Sequence, residues 1–200
     1  MGTDKMTNTT VIPGNKKLFS MNELKELGLS RYKIIRLAND GRLIRLNRTF
    51  FENAQYTGDE SDFYYVRAVS NDAVICLMSA AVYYDLTTYI PDAVDVALPR
   101  KSRISTIPAQ TRMNFYYFAD SRHDLGITRI EKGKNGFQIY NIEKTVVDAV
   151  SYRERIGIES VKEILRSYLQ RKDRNLSRLL KYAQLMRCGK TMRSYLEVLV

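Results

Sequence analysis

The stretch from Ser20 to Glu52 changes its apolar period from helix to strand within about thirty residues, and this constrains the fold more than any other feature. Ser20 and Glu23 have the Ser-x-x-Glu spacing of a capping box, in which the hydroxyl accepts a backbone N–H and the carboxylate reaches back. Met21, Leu24 and Leu27 then share one helical face. Gly28 ends that helix, because a residue without Cβ enters the left-handed region freely. Ser30 caps a second helix, Arg31 to about Asn39, with Ile34, Leu37 and Ala38 turned inward, and Asp40-Gly41 stops it. Arg42 to Leu46 reads as a strand, Asn47-Arg48 as a turn, and Thr49-Phe50-Phe51 as the returning strand.

A helix, a glycine turn, a second helix and a basic hairpin match a winged helix-turn-helix, whose second helix enters the major groove while the wing follows the backbone. Once Ile34, Leu37 and Ala38 are buried, Arg31, Tyr32, Lys33 and Arg36 share the outward face, with Ser30 at its N-terminal end. Arginine forks onto guanine O6 and N7, which suits Arg31 to base reading, whereas Lys33 and Tyr32 suit phosphate. Arg42, Arg45 and Arg48 on the wing, and Lys16 and Lys17 before the first helix, complete the expected DNA-binding set. A helical hairpin with a solvated basic face is the bland alternative. Residues 1–19 hardly supply the additional leading helix that winged helices carry.

Charge is distributed to match. The chain carries 32 Lys and Arg against 22 Asp and Glu, a net charge of +10. Residues 1–60 contribute 10 basic and 7 acidic residues, 61–150 contribute 10 of each, and 151–200 contribute 12 and 5. Two basic ends around a neutral middle favour a polyanionic partner. A second basic surface is expected at Arg171, Lys172, Arg174 and Arg178, with a solvated helix face as its alternative.

The remainder reads as a mixed sheet followed by helices. A buried helix is expected from Ala73 to about Tyr84, capped by Asn71 or Asp72. Strands are expected at Val94–Leu98 and Met113–Phe118, and a hairpin at Ile127–Lys132 and Phe137–Tyr140 with Asn-Gly turn chemistry. Asn141 caps a helix to about Val150, and helical spacing continues to the end. The expected class is α+β: a flexible tail at 1–15, a winged helix-turn-helix at 16–60, and a mixed α/β domain closed by helices at 61–200.

Catalytic constellations are thin. There is no phosphate-cradling glycine loop and no nucleophile elbow. The single histidine, His123, reads as a surface loop residue. Two cysteines, Cys76 and Cys188, cannot build a zinc ribbon or a disulfide framework. Asp92 and Asp95 beside a strand have the look of nuclease metal carboxylates, but Glu131-Lys132-Gly133 misses the spacing that chemistry needs on the next strand. The expectation is no catalytic residue, no metal and no cofactor, with a nuclease-like enzyme targeted by the winged helix as the alternative. No run approaches ~18 apolar residues and the opening residues lack the apolar core of a signal peptide, so a cytoplasmic protein without membrane contact is expected.

The order of motifs resembles the AbiEi family of antitoxins. Phe19–Leu24, Leu27–Arg31 and Gly41–Leu46 resemble that family's N-terminal winged helix. Ala73–Ala81 with Asp85-Leu86-Thr87-Thr88, Val96–Arg100, Glu143–Asp148 and Met192–Leu196 are similar to its second domain. The resemblance implies an antitoxin of a bacterial phage-defence system that represses its own operon, often on inverted repeats. It further implies that the C-terminal domain counters a nucleotidyltransferase-like toxin without needing a stable complex.

Overall fold

A computed structural model describes residues 12–104 and 106–199. Strand β1 (Leu18–Ser20) leads directly into α1 (Met21–Glu26), α2 (Arg31–Asn39), β2 (Leu43–Arg45) and β3 (Phe50–Asn53). Both halves of the capping box form: the Glu23 N–H donates to Ser20 Oγ at 3.2 Å, and the Ser20 N–H donates to Glu23 Oε2 at 2.7 Å. Gly28 turns the chain at φ +82°, where an L side chain would be strained. The strands form an antiparallel sheet in the order β1-β3-β2, with Phe19 opposite Phe51 and Arg45 opposite Phe51 across the other edge. Leu24, Leu29, Ile34, Leu43 and Phe51 are buried together beneath it.

Ile12 joins that cluster, which corrects the expected tail at 1–15 over its last four residues; residues 1–11 lie outside the described residues. The Asn53 side-chain amide donates to the Pro13 and Lys16 carbonyls, and the Thr57 N–H donates to Gly14 O. These bonds hold residues 13–16 against the end of β3.

A 3-10 turn at Asp62–Tyr65 and α3 (Val66–Val69) then lead to a five-stranded mixed sheet. Its strands are β4 (Val74–Ile75), β5 (Val94–Pro99), β6 (Met113–Phe118), β7 (Ile127–Lys132) and β8 (Asn135–Tyr140), in the order β6-β5-β4-β8-β7. The period of two divides the sheet's faces. Ile75, Val96, Leu98, Phe137 and Ile139 face one core cluster; Val74, Ala97, Tyr116, Phe118 and Tyr140 face another. The helices are α4 (Leu77–Tyr83), α5 (Asp120–His123), α6 (Ile142–Ser151), α7 (Arg153–Ile156), α8 (Ile158–Gln170), α9 (Leu176–Leu185) and α10 (Gly189–Leu199). Helices α4, α6, α8, α9 and α10 share a third apolar cluster that includes Met78, Val147, Ile164, Leu179 and Met192. The fold class is α+β, and among the described residues no helix is long and apolar enough to cross a membrane.

Two local expectations are corrected. The apolar run from Ala73 is split: Val74 and Ile75 pair as a strand between β5 and β8, and the helix starts only after Cys76. Continuous apolarity suits a buried strand as well as a buried helix, so periodicity does not separate them. In the β7–β8 hairpin Lys132 pairs with Asn135, so the turn residues are Gly133-Lys134, with Gly133 at φ +61°, and Asn135 belongs to the strand.

The first core cluster runs across the expected boundary at 60/61. Leu18, Leu46 and Phe50 are buried with Tyr64, Tyr65, Val66 and Ala68. The Asn47 amide at the tip of the β2–β3 hairpin donates to the Ala68 carbonyl at 2.7 Å. The hairpin is therefore fastened to α3.

Candidate nucleic-acid interface

Helix α2 and the β2–β3 hairpin enclose an open groove of about 410 Å³. Its lining includes Arg31, Ile35 and Asn39 from α2, with Ile44, Arg45 and Arg48 from the hairpin. Three arginines and no carboxylate border this groove. The local sequence explains the arrangement. Burial of Ile34 rotates Arg31, Ile35 and Asn39 (i, i+4, i+8) onto the side facing the hairpin. Asn47 Oδ1 accepts the Thr49 and Phe50 N–H groups, shaping the turn that presents Arg48.

Of the expected DNA-binding set, Arg31, Arg45 and Arg48 line this groove. Arg31, Tyr32, Lys33 and Arg36 are exposed on α2, and Arg45 and Arg48 on the hairpin; Arg42 is half-buried where the chain enters β2. Arg45 Nε donates to Asn47 O, and Arg36 lies 3.8 Å from Asp40 with both side chains well exposed. Ser30 acts as the helix cap, its hydroxyl accepting the Lys33 N–H at 3.3 Å.

Lys16 and Lys17 are corrected. Lys17 is buried: its backbone N–H donates to Asn135 Oδ1, its ammonium pairs with Glu60, and it lies 4.9 Å from the Tyr65 ring centre. A desolvated cation with a carboxylate and an aromatic face is a structural group and cannot also meet a phosphate. Lys16 is mostly buried and bonded to Glu23 Oε1 at 2.8 Å, where Arg67 from α3 also donates at 2.8 Å. Burial pushes the Glu23 carboxyl up, but the bonds from Lys16, the Ser20 N–H and Arg67 outweigh it and hold the group at about 2. Glu23 thus caps α1 and ties the N-terminal unit to α3.

The second basic surface is divided. Arg171 forks onto Asp173 and donates to Tyr84 O, and Arg178 reaches the buried Glu143 at 3.3 Å. Lys172 and Arg174 are exposed, although Arg174 donates to the Arg171 carbonyl. Arg171 thus ties the end of α8 to the end of α4, and Arg178 ties α9 to α6.

His123 is buried, which corrects its expected surface position. Its Nδ1 lies 3.0 Å from Asp124 and its Nε2 2.9 Å from the Asp72 carbonyl. Asp95 is buried as well. Leu77 opens α4 at φ +45°, a conformation that is strained for a residue with a Cβ. Asp95 holds it there: its carboxylate accepts from the Met78 N–H, Asn114 and Tyr116, and its own N–H donates to Ser79 Oγ. Burial pushes this carboxyl above the usual range, against the pull of those donors. Among the described residues, no three His, Cys, Asp or Glu side chains are grouped to hold a metal ion.

Glu143 to Asp148, singled out in the sequence, carry a buried ion pair. Lys144 Nζ lies 2.6 Å from Asp148 Oδ2, both side chains are fully buried, and Arg122 adds a second bond to Asp148 at 2.9 Å. Lys144 also sits 3.9 Å from the Tyr140 ring centre. Desolvation lowers the Lys144 ammonium's pKa, while Asp148 opposes that shift.

Ile35, Asn39 and Ile44 were not among the expected site residues. The helical period held the signal, since Ile35 lies one turn beyond Arg31 and off the buried stripe. Glu23 and Arg67 lie 44 residues apart, and no local pattern connects them.

No family model matches the chain, and no curated protein matches it. Among solved structures, the crystal structure of the RV2827C protein from Mycobacterium tuberculosis is similar at 14% identity. The match covers 87% of this chain and 72% of that chain, with a TM-score of 0.41.

Proposed function

We propose that the chain binds duplex DNA sequence-selectively through α2 and the β2–β3 hairpin, as a winged helix-turn-helix. One observation carries this: the groove between α2 and the hairpin is bordered by Arg31, Arg45 and Arg48 with no carboxylate among its lining residues. Such a surface repels a second copy of itself and attracts a polyanion. The sheet order β1-β3-β2 with two helices inserted between β1 and β2 supports the winged-helix assignment. The capped N-terminus of α2, where base edges are met, carries Arg31, Tyr32 and Lys33.

With the AbiEi resemblance, this extends to an autorepressor and antitoxin that has no catalysis of its own, binds inverted repeats in its operator, and counters a nucleotidyltransferase-like toxin through its C-terminal part. The nuclease alternative rested on Asp92 and Asp95, and Asp95 is committed to holding α4. The test is binding to the DNA upstream of the gene and to a scrambled duplex. Arg31→Ala is expected to cost about 1–3 kcal/mol on the first and far less on the second. Equal losses on both would remove Arg31 as a base reader, and no preference by the parent would remove sequence-selective binding.

A further inference from the structure

The exposed apolar side chains on the groove are the least expected feature of this surface. Ile35 is 46% exposed and Ile44 43%, and both line the groove beside Arg31, Asn39, Arg45 and Arg48; Tyr32, on α2 outside the groove lining, is 75% exposed. A helix that only touched phosphates would have no use for an isoleucine at its centre. Base edges in the major groove present one apolar group, the C5-methyl of thymine. Ile35 lies one helical turn from Arg31, and both line the groove. Four residues at about 1.5 Å each amount to about 6 Å along the helix, roughly two base steps. Ile44 stands across the groove on β2, facing the same space.

We infer that Ile35 is a specificity-determining residue that reads a thymine methyl within about two base pairs of the guanine taken by Arg31. The inference rests on the proposed DNA binding and deepens it, by naming what the apolar part of the groove recognises. A second copy of this chain is the other conceivable cover for Ile35 and Ile44, but it would bring Arg31, Arg45 and Arg48 against their own images.

The test uses the full chain and a duplex that it selects from a randomised pool. Each thymine in the selected site is replaced singly by deoxyuridine, which removes the methyl and leaves every hydrogen-bonding edge intact. Burial of one methyl against Ile35 predicts about a fourfold loss of affinity at one or two positions and none elsewhere. In Ile35→Ala the same replacements should become neutral, and Ile35→Val should retain part of the discrimination. Because Ile35 is half exposed, both variants are expected to melt near the parent, which a thermal scan checks. Neutral deoxyuridine at every position in the parent overturns the inference alone and leaves DNA binding standing. A fourfold loss that persists unchanged in Ile35→Ala also overturns it, and assigns the methyl to another residue. If no sequence is enriched from the pool, sequence-selective binding itself fails, and the inference fails with it.

Discussion

Replacing Glu23 by glutamine should separate two roles of one side chain. The glutamine amide oxygen can still accept the Ser20 N–H, so the cap on α1 survives. What is lost is the negative charge between Lys16 and Arg67, each at 2.8 Å. The carboxyl is held at about 2 against an ordinary 4.5. At about 1.4 kcal/mol per pH unit, the ionised form contributes about 3 kcal/mol at pH 7. This is an upper value, since 24% of the side chain is exposed to solvent that screens it. A carboxyl depressed on folding stabilises fully above its unfolded value of 4.5, and that contribution fades as pH falls towards 2. Urea unfolding of parent and Glu23→Gln should therefore differ by up to about 3 kcal/mol at pH 7 and by about 1.4 kcal/mol at pH 3. Comparing the two proteins at each pH cancels the titration of the other carboxylates. A gap that stays constant from pH 7 to pH 3 would show that shape, not charge, sets the loss, and would refute Glu23 as the electrostatic tie between α1 and α3.

Two further outcomes follow from the buried cations. Lys144→Met leaves Asp148 fully buried with Arg122 as its one charged partner, and should lower unfolding free energy by about 3 kcal/mol in urea titrations, the low end for breaking a buried pair. Lys17→Gln should leave the salt dependence of DNA binding unchanged, because its ammonium is already taken by Glu60. Arg48→Ala should reduce the log–log salt slope by about 0.9, the value for one phosphate.

The elements legible in the sequence were those whose signal is local. Ser20 and Glu23 are three residues apart, Asn141 caps α6 by accepting the Lys144 N–H, and Gly28 supplies the turn, so each could be read from a short window. The errors share a physical origin in contacts between distant residues. Val11-Ile12 is a two-residue apolar step in a polar stretch, and only the arrival of Phe19 and Phe51 makes a core around Ile12. Lys17 is buried because Asn135 and Glu60 come to it, 118 and 43 residues along the chain. Asp95 looked like a metal carboxylate until folding placed it beside Met78, Asn114 and Tyr116. At the candidate site, cations were counted by type and spacing, which found Arg31, Arg45 and Arg48 but could not discount the two lysines consumed in the interior. The same count passed over Ile35, because a count of cations takes no account of an apolar residue that lies off the buried stripe of Ile34, Leu37 and Ala38.

The salt dependence of duplex binding tests the proposed DNA-binding surface most directly. Arg31, Lys33, Arg36, Arg42, Arg45 and Arg48 are the cations that α2 and the hairpin offer. With Arg31 on a base edge, phosphate contacts by the other five would give a log–log slope of roughly −4.5 at about −0.9 per neutralised phosphate. Arg45→Ala with Arg48→Ala in one chain should flatten it by about 1.8 while leaving base preference intact, because phosphate contacts position without specifying. A slope near zero in the parent, or one that the double substitution leaves unchanged, would contradict binding through this groove.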